Sequence, residues 1–167
     1  LAAGKTNGVF QVESGGMKDL LIKLKPKLEQ LDFEIISVIL ALYRPDSMGA
    51  LDEFVEMATS GHRPLSIHAD MDMILKDTNY CLIYQEQLLD IVRKFGGRSY
   101  GQADLFRKAI GKKIPELVKK EAEILRGEIV ANGYPKEIAD KIADELSTKG
   151  GYLFNKSHSY SYAVLCF

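Results

Sequence analysis

Apolar residues recur three and four positions apart along almost the whole chain, the spacing that lines up side chains on one face of an α-helix. In residues 14–25 they are Met17, Leu20, Leu21 and Leu24, with Ser14 placed to cap the first turn. Residues 31–43 repeat the pattern with Phe33, Ile36, Ile39 and Leu40. They end at Arg44-Pro45, because a residue before proline avoids helical angles. A third helix is predicted over residues 47–59, carrying Met48, Leu51, Phe54 and Val55, and a loop over residues 60–64. Residues 69–75 predict a short helix. Residues 84–95 hold Leu88, Leu89, Val92 and Phe95 and stop at Gly96-Gly97. Another helix is expected over residues 102–110. Pro115 stands at a first-turn position and opens a long helix to about residue 131, where Asn132-Gly133 stops it. Pro135 starts the next, to about residue 147, and Gly150-Gly151 breaks the chain again. A last helix begins near Ser157 and runs on to the end. Ser157 is its expected N-cap. Alternation with a period of two is almost absent, and residues 80–83 are the one strand candidate. The pattern predicts an all-α fold, mostly helical, with about eight to nine helices and at most one very short strand pair.

With 167 residues, 46% of them hydrophobic, the chain is the size of one domain with its own core. Cys81 and Cys166 match no metal-ligand spacing and argue for a reducing compartment, so a cytoplasmic location is expected. No run of about 18 apolar residues predicts a membrane span, and residues 1–6 do not read as a signal peptide. The sequence opens on Leu1 and its last five residues are apolar with no helix stop, so it is expected to be a piece of a longer protein.

The net charge of −1 hides a strong asymmetry. Residues 28–90 carry twelve acidic and three basic side chains, a net of −9, while residues 93–120 carry nine basic and two acidic, a net of +7. Phe95, Gly96, Gly97, Tyr100, Gly101, Phe106 and Gly111 are interleaved with those cations. Cations beside flat rings and close-approach backbone suit a nucleic acid or nucleotide. A solvated face whose lysines pair with neighbouring acids is the bland alternative.

Within the basic stretch, Asp104, Arg107, Lys108 and Gly111 share one helical face, with Leu105, Phe106, Ala109 and Ile110 on the other side. An arginine holds two phosphate oxygens in a planar fork and a lysine supplies a point charge. Arg107, Lys108, Lys112 and Lys113 together suit a triphosphate, whose charge must be offset before its α-phosphorus is attacked. A second constellation places Lys156, Ser157, His158, Tyr160 and Tyr162 at a helix start, where free N–H groups favour anions. His158 and Tyr162, four apart, share a face, and Tyr162 can stack on a base or simply pack. Gln85 and Gln87 are candidates for a base edge or for local hydrogen bonds at a helix start. Arg44 can reach a phosphate or close the last carbonyls of its own helix. Asp70 and Asp72 are spaced Asp-x-Asp but lack an apolar strand to aim them, and more often such acids serve the helix dipole. No metal ligands, Walker-type phosphate loop or nucleophilic triad are assigned.

Five segments, in order, resemble a known family. They are Gly8-Val9-Phe10-Gln11-Val12-Glu13-Ser14-Gly15-Gly16-Met17, Leu42-Tyr43-Arg44-Pro45, Ile83-Tyr84-Gln85-Glu86-Gln87, the run from Ala103-Asp104-Leu105-Phe106-Arg107-Lys108 to Lys113, and Phe154-Asn155-Lys156-Ser157-His158-Ser159-Tyr160-Ser161-Tyr162-Ala163. Together they resemble the fingers of family C replicative polymerases, the bacterial DNA polymerase III alpha subunits. The resemblance implies a connection from the palm over residues 1–13 and a helical fingers domain over residues 14–167, truncated at its C-terminus. It implies DNA-directed DNA polymerase activity with magnesium in the intact enzyme, the catalytic aspartates lying upstream in the palm. No catalytic or metal residue is carried over, and the isolated piece is expected to be inactive. Nucleotide binding is implied for Arg107 and Lys108, with Arg44, Lys156, His158 and Tyr162. Lys112, Lys113, Gln85 and Gln87 are expected at the DNA. The implied partners are primer-template DNA, deoxynucleoside triphosphates, the other polymerase domains and replisome subunits. Arg107-Lys108 stands where the family usually has two arginines, and Arg44-Pro45-Asp46-Ser47 departs from its usual Arg-Pro-Gly-Pro. A helical nucleic-acid or protein-binding module without nucleotide chemistry is the alternative, and a purely structural helical domain is a third.

Overall fold

A computed structural model describes residues 3–25, 32–61 and 65–166. Among them are nine α-helices: α1 Gly15–Leu24, α2 Phe33–Leu42, α3 Met48–Ser60, α4 Ala69–Leu75, α5 Gln85–Gly96, α6 Tyr100–Gly111, α7 Pro115–Ala131, α8 Lys136–Lys149 and α9 Lys156–Cys166. Short 3₁₀ turns occupy Pro45–Ser47, Lys76–Thr78 and Gly150–Tyr152. No strand forms among the described residues. The strand candidate at residues 80–83 fails because Asn79 and Tyr80 take left-handed φ values of 49° and 64°, which turn the chain instead of pleating it. Parts of the predicted helix start at residue 31 and of the loop at residues 60–64 lie outside the described residues.

The chain divides into two compact units. The first comprises Leu1–Pro64, Asp77–Ile83 and Phe154–Phe167, and the second Leu65–Lys76 and Tyr84–Leu153. In the first, the residues before α1 are tied down where Thr6 Oγ1 donates to the Val12 carbonyl at 2.7 Å, with Val12 buried. Ser14 caps α1 as expected, its Oγ accepting from the Met17 N–H. Met17, Leu21 and Leu24 then join Ile36, Ile39 and Leu40 of α2 in one core. Asp32 caps α2 by accepting from the Ile35 N–H at 2.9 Å. Residues 36 to 42 of α2 are all buried, which is the burial expected of a helix that is apolar all round. Helix α9 packs on α2 through small residues. Ser37 and Ser159, both fully buried, stand 3.0 Å apart, and the Ser159 hydroxyl also donates to the Ser37 carbonyl. Each buried hydroxyl is thereby satisfied. Tyr160 closes the same seam by donating to the Glu34 carboxylate and setting its ring edge-on to Phe33.

The second unit is built from α4 to α8. Helix α6 begins two residues before the apolar spacing indicates, because Ser99 and Gln102 form a capping box. Gln102 N–H donates to Ser99 Oγ at 3.3 Å and Ser99 N–H to Gln102 Oε1 at 2.9 Å. Helix α5 ends at Gly97, whose φ of 67° is cheap only for glycine. Pro135 stands just before α8 with ψ of 146°, an extended residue that leads into the helix and does not belong to it. Phe95, Phe106, Leu125, Ile129, Ile142 and Leu146 are fully buried in this unit.

At its far corner, Gly150 fits against Ile110 and Leu88. A Cβ there would stand 2.8 Å from Ile110 Cγ2 and 3.1 Å from Leu88 Cδ1. Both neighbours are buried and have little room to yield. Gly150→Ala is therefore expected to destabilise the fold by about 1–2 kcal/mol through overpacking. Urea unfolding monitored by circular dichroism reads this as a lower midpoint at unchanged slope.

Candidate functional site

Two groups of polar side chains were expected to carry function, and each lies within one unit. In the second unit, the cap at Ser99 starts α6, and the i, i+3, i+4 spacing of Asp104, Arg107 and Lys108 puts them on one face of it. Arg107 Nε and Nη2 each lie 2.8 Å from Asp104 Oδ1, and Lys108 Nζ lies 2.8 Å from Asp104 Oδ2. The paired cations, Lys108 first and Arg107 second, hold the Asp104 carboxyl below the usual carboxylate range. Arg107 reaches a second partner, Gln85 at the start of α5, through Nη1 at 3.4 Å. Gln85 in turn donates to the Leu153 carbonyl, also at 3.4 Å. Gln85 thus positions Arg107, a role that spacing 22 residues apart does not announce. Arg107 is partly buried, its side chain 26% exposed, whereas Lys108 at 59% reaches into solvent.

Gln87 is buried and works locally, its Oε1 accepting from the Tyr84 N–H at 2.9 Å in the cap of α5. Lys112 is exposed at the end of α6. Lys113 follows in the left-handed region, φ 55°, with its ammonium 3.8 Å from the Tyr152 ring centroid.

In the first unit, Arg44 takes the helix-closing role. Its Nε donates to the Ala41 carbonyl at 2.8 Å, and its guanidinium lies 4.8 Å from the Phe154 ring centroid. Burial pushes its basicity down and the charge of nearby Asp46 partly restores it. The start of α9 is capped by Asn155, not by the expected Ser157. Asn155 Oδ1 accepts from the His158 N–H at 2.9 Å and from the Ser157 hydroxyl at 2.6 Å. An asparagine three residues before His158 was the available signal. Lys156 Nζ lies 5.0 Å from the Tyr160 ring. Phe154 sets its edge to His158 at 5.4 Å, His158 to Tyr162 at 4.4 Å, and Tyr162 stacks on Phe10 at 5.2 Å. Arg44, His158 and Tyr162 are therefore linked through one chain of rings, and Tyr162 packs. Arg107, Lys108, Lys112, Lys113, Gln85 and Gln87 belong to the second unit, and Arg44, Lys156, His158 and Tyr162 to the first.

The α6 cations and the Lys-Ser-His turn of α9 lie in two of the five segments by which the sequence resembled polymerase fingers. Comparison with known proteins decides the matter. Residues 1–149 match the family described as the bacterial DNA polymerase III alpha subunit finger domain. The chain belongs to this finger-domain family. The finger domain is 38% identical over 167 residues to the DNA polymerase III subunit alpha of Halalkalibacterium halodurans, covering all of the chain and 15% of that protein. The same subunit of Campylobacter jejuni is 39% identical over 170 residues, and that of Aquifex aeolicus 38% over 170, each covering all of the chain and 14% of the relative. The finger domain thus spans about a seventh of the length of these relatives. Helix α9 lies beyond the family match but inside the region shared with the relatives.

Among the described residues of the finger domain, no group of three or more His, Cys, Asp or Glu side chains is placed to hold a metal ion. Asp70 instead pairs with Lys94 at 3.3 Å in the first turn of α4. Cys81 and Cys166 are both buried thiols. No described helix is long and apolar enough to cross a membrane.

Proposed function

We propose that this finger domain binds the incoming deoxynucleoside triphosphate and the primer-template in a DNA-directed DNA polymerase. The observation that carries the proposal is the cation pair of α6. Asp104 and Gln85 hold the Arg107 fork before any ligand arrives, so less side-chain entropy remains to be lost on binding. A guanidinium has five N–H donors, and these two partners take only part of them. Lys108, beside it and more exposed, adds a mobile point charge. Nucleotidyl transfer depends chiefly on positioning and on offsetting charge at the phosphates, and this pair supplies both. In the other unit, the capped turn at Lys156 and His158 offers a cation and an exposed ring to a nucleotide. Lys112 and Lys113 follow the DNA backbone. The magnesium of the intact enzyme is not assigned to this chain, whose described residues do not fit it, and the chain alone is expected to extend no primer. A cytoplasmic enzyme working with other polymerase domains and replisome subunits follows from the same reading.

The DNA side is tested by fluorescence anisotropy with labelled primer-template. Binding is expected at low ionic strength, with the logarithm of affinity falling linearly with that of salt. Lys112→Ala should reduce the slope by about one, as for loss of one phosphate contact. Absent binding at low salt, or a slope near zero, contradicts the electrostatic contact.

A further inference from the structure

Beside the α6 cation pair, and sharing none of its residues, the second unit holds a cavity of about 420 Å³ between the end of α6, α7 and the end of α8. Its apolar wall is formed by Ile110, Val118 and Ala122. Lys113, Lys119 and Arg126 line it, and no acidic residue does. Tyr152, 46% exposed, adds an aromatic ring.

The cations are held in different ways. Arg126 is pinned from outside by Glu123 and Asp144, yet its Nε is buried, and Asp140 Oδ1 at 3.5 Å does not complete a hydrogen bond to it. Lys113 occupies a left-handed position just after a helix, where glycine is the cheap residue. Its stem lies along Gly151, where a Cβ would stand 3.2 Å from Lys113 Cγ, and its ammonium covers part of Tyr152. A lysine kept in a strained glycine position, with a glycine opposite to make room for it, puts positive charge at the mouth of an apolar pocket.

A pocket of this size with an apolar wall, one ring and two lysines, its arginine already paired with Glu123 and Asp144, matches a flat apolar body carrying an anion. We infer that it binds a single nucleotide unit, base against the wall and Tyr152, phosphate at Lys113 and Lys119. The unit can be a free nucleoside monophosphate or an unpaired nucleotide of the template strand, which share this chemistry. The site is separate from the triphosphate contacts of Arg107 but shares Lys113 with the DNA contact proposed above, on which its template-strand form rests.

The probe is 2-aminopurine, whose fluorescence is quenched on stacking, offered to the intact polymerase as the free 5′-monophosphate or within a single-stranded template overhang. A saturable quench is expected with at least one probe, and which one responds identifies the source. Lys119→Glu and Lys113→Gly should each weaken it about tenfold, roughly the effect of losing one charged contact. Lys113→Gly should do so without lowering the unfolding midpoint, since glycine relieves the backbone. Arg107→Ala, which touches none of the pocket's lining, should leave the quench in place, so its fate is distinguishable from that of the triphosphate contact. No saturable quench with either probe, a quench lost in Arg107→Ala, or affinity unchanged in both lysine variants overturns the inference.

Discussion

Replacing Arg107 by alanine in the intact polymerase is expected to lower the efficiency of single-nucleotide incorporation by about 100-fold, the loss typical of removing one preorganised donor from a developing charge. Chemical quench in single turnovers separates the two contributions, a weaker apparent affinity for the triphosphate and a slower chemical step. Arg107→Lys recovers part of the loss, because a point charge remains, but not the two-pronged geometry that a fork gives. Gln85→Ala has a smaller effect in the same direction, since it releases one arm of the guanidinium while Asp104 still holds the other. Primer-template affinity stays close to that of the parent in both Arg107 variants. Unchanged incorporation in Arg107→Ala removes this residue from the nucleotide site.

The second large effect concerns how α6 is held. Arg98 sits in the corner between α5 and α6 with its side chain only 9% exposed. Its Nε donates to Glu128 Oε2 at 2.6 Å, its Nη1 lies 3.7 Å from Glu121 Oε2, and its guanidinium lies 5.2 Å from the Phe106 ring centroid. Glu121 and Glu128 are two turns apart on α7, so one arginine ties the corner to a whole helix face. Asn132 reinforces it by donating to the Phe95 carbonyl at 3.0 Å. Arg98→Ala leaves two glutamates beside a buried ring with no countercharge. Breaking such a pair from one side typically costs about 3–5 kcal/mol; Glu128 is partly exposed, so about 3 kcal/mol is expected. Guanidinium unfolding should show a lower midpoint, and Arg98→Lys should recover part of it. A midpoint within experimental error of the parent contradicts the account of this corner.

The helices were legible because their apolar spacing is strong and their ends carry polar punctuation, as at Ser14 and Pro115. The exceptions have local causes. The start of α6 is set by Ser99 and Gln102, a polar box that apolar spacing does not register. Asn155 takes the cap expected of Ser157 because α9 begins at Lys156, two residues before a helix capped by Ser157 would. The division into two units was not legible. The chain leaves the first unit after residue 64, returns for residues 77–83 and again at residue 154, and no linker-like composition marks these points. Ser37 and Ser159 meet across 122 positions, a pairing that no short window contains. At the candidate site, the charges of Arg107 and Lys108 and their face with Asp104 could be read directly. The link to Gln85 could not, because it depends on how α5 packs beside α6. Arg44 and Tyr162 were each left with two readings, and both make the packing contacts of the plainer one.

The most direct measurement of the nucleotide-binding claim is photocrosslinking of the intact polymerase, on primer-template, with a deoxynucleoside triphosphate bearing a photoreactive γ-phosphate group. The account predicts adducts within residues 104–113, suppressed by unlabelled triphosphate and lost when Arg107 and Lys108 are both replaced by alanine. Adducts confined to other regions, or undiminished in the double variant, contradict it.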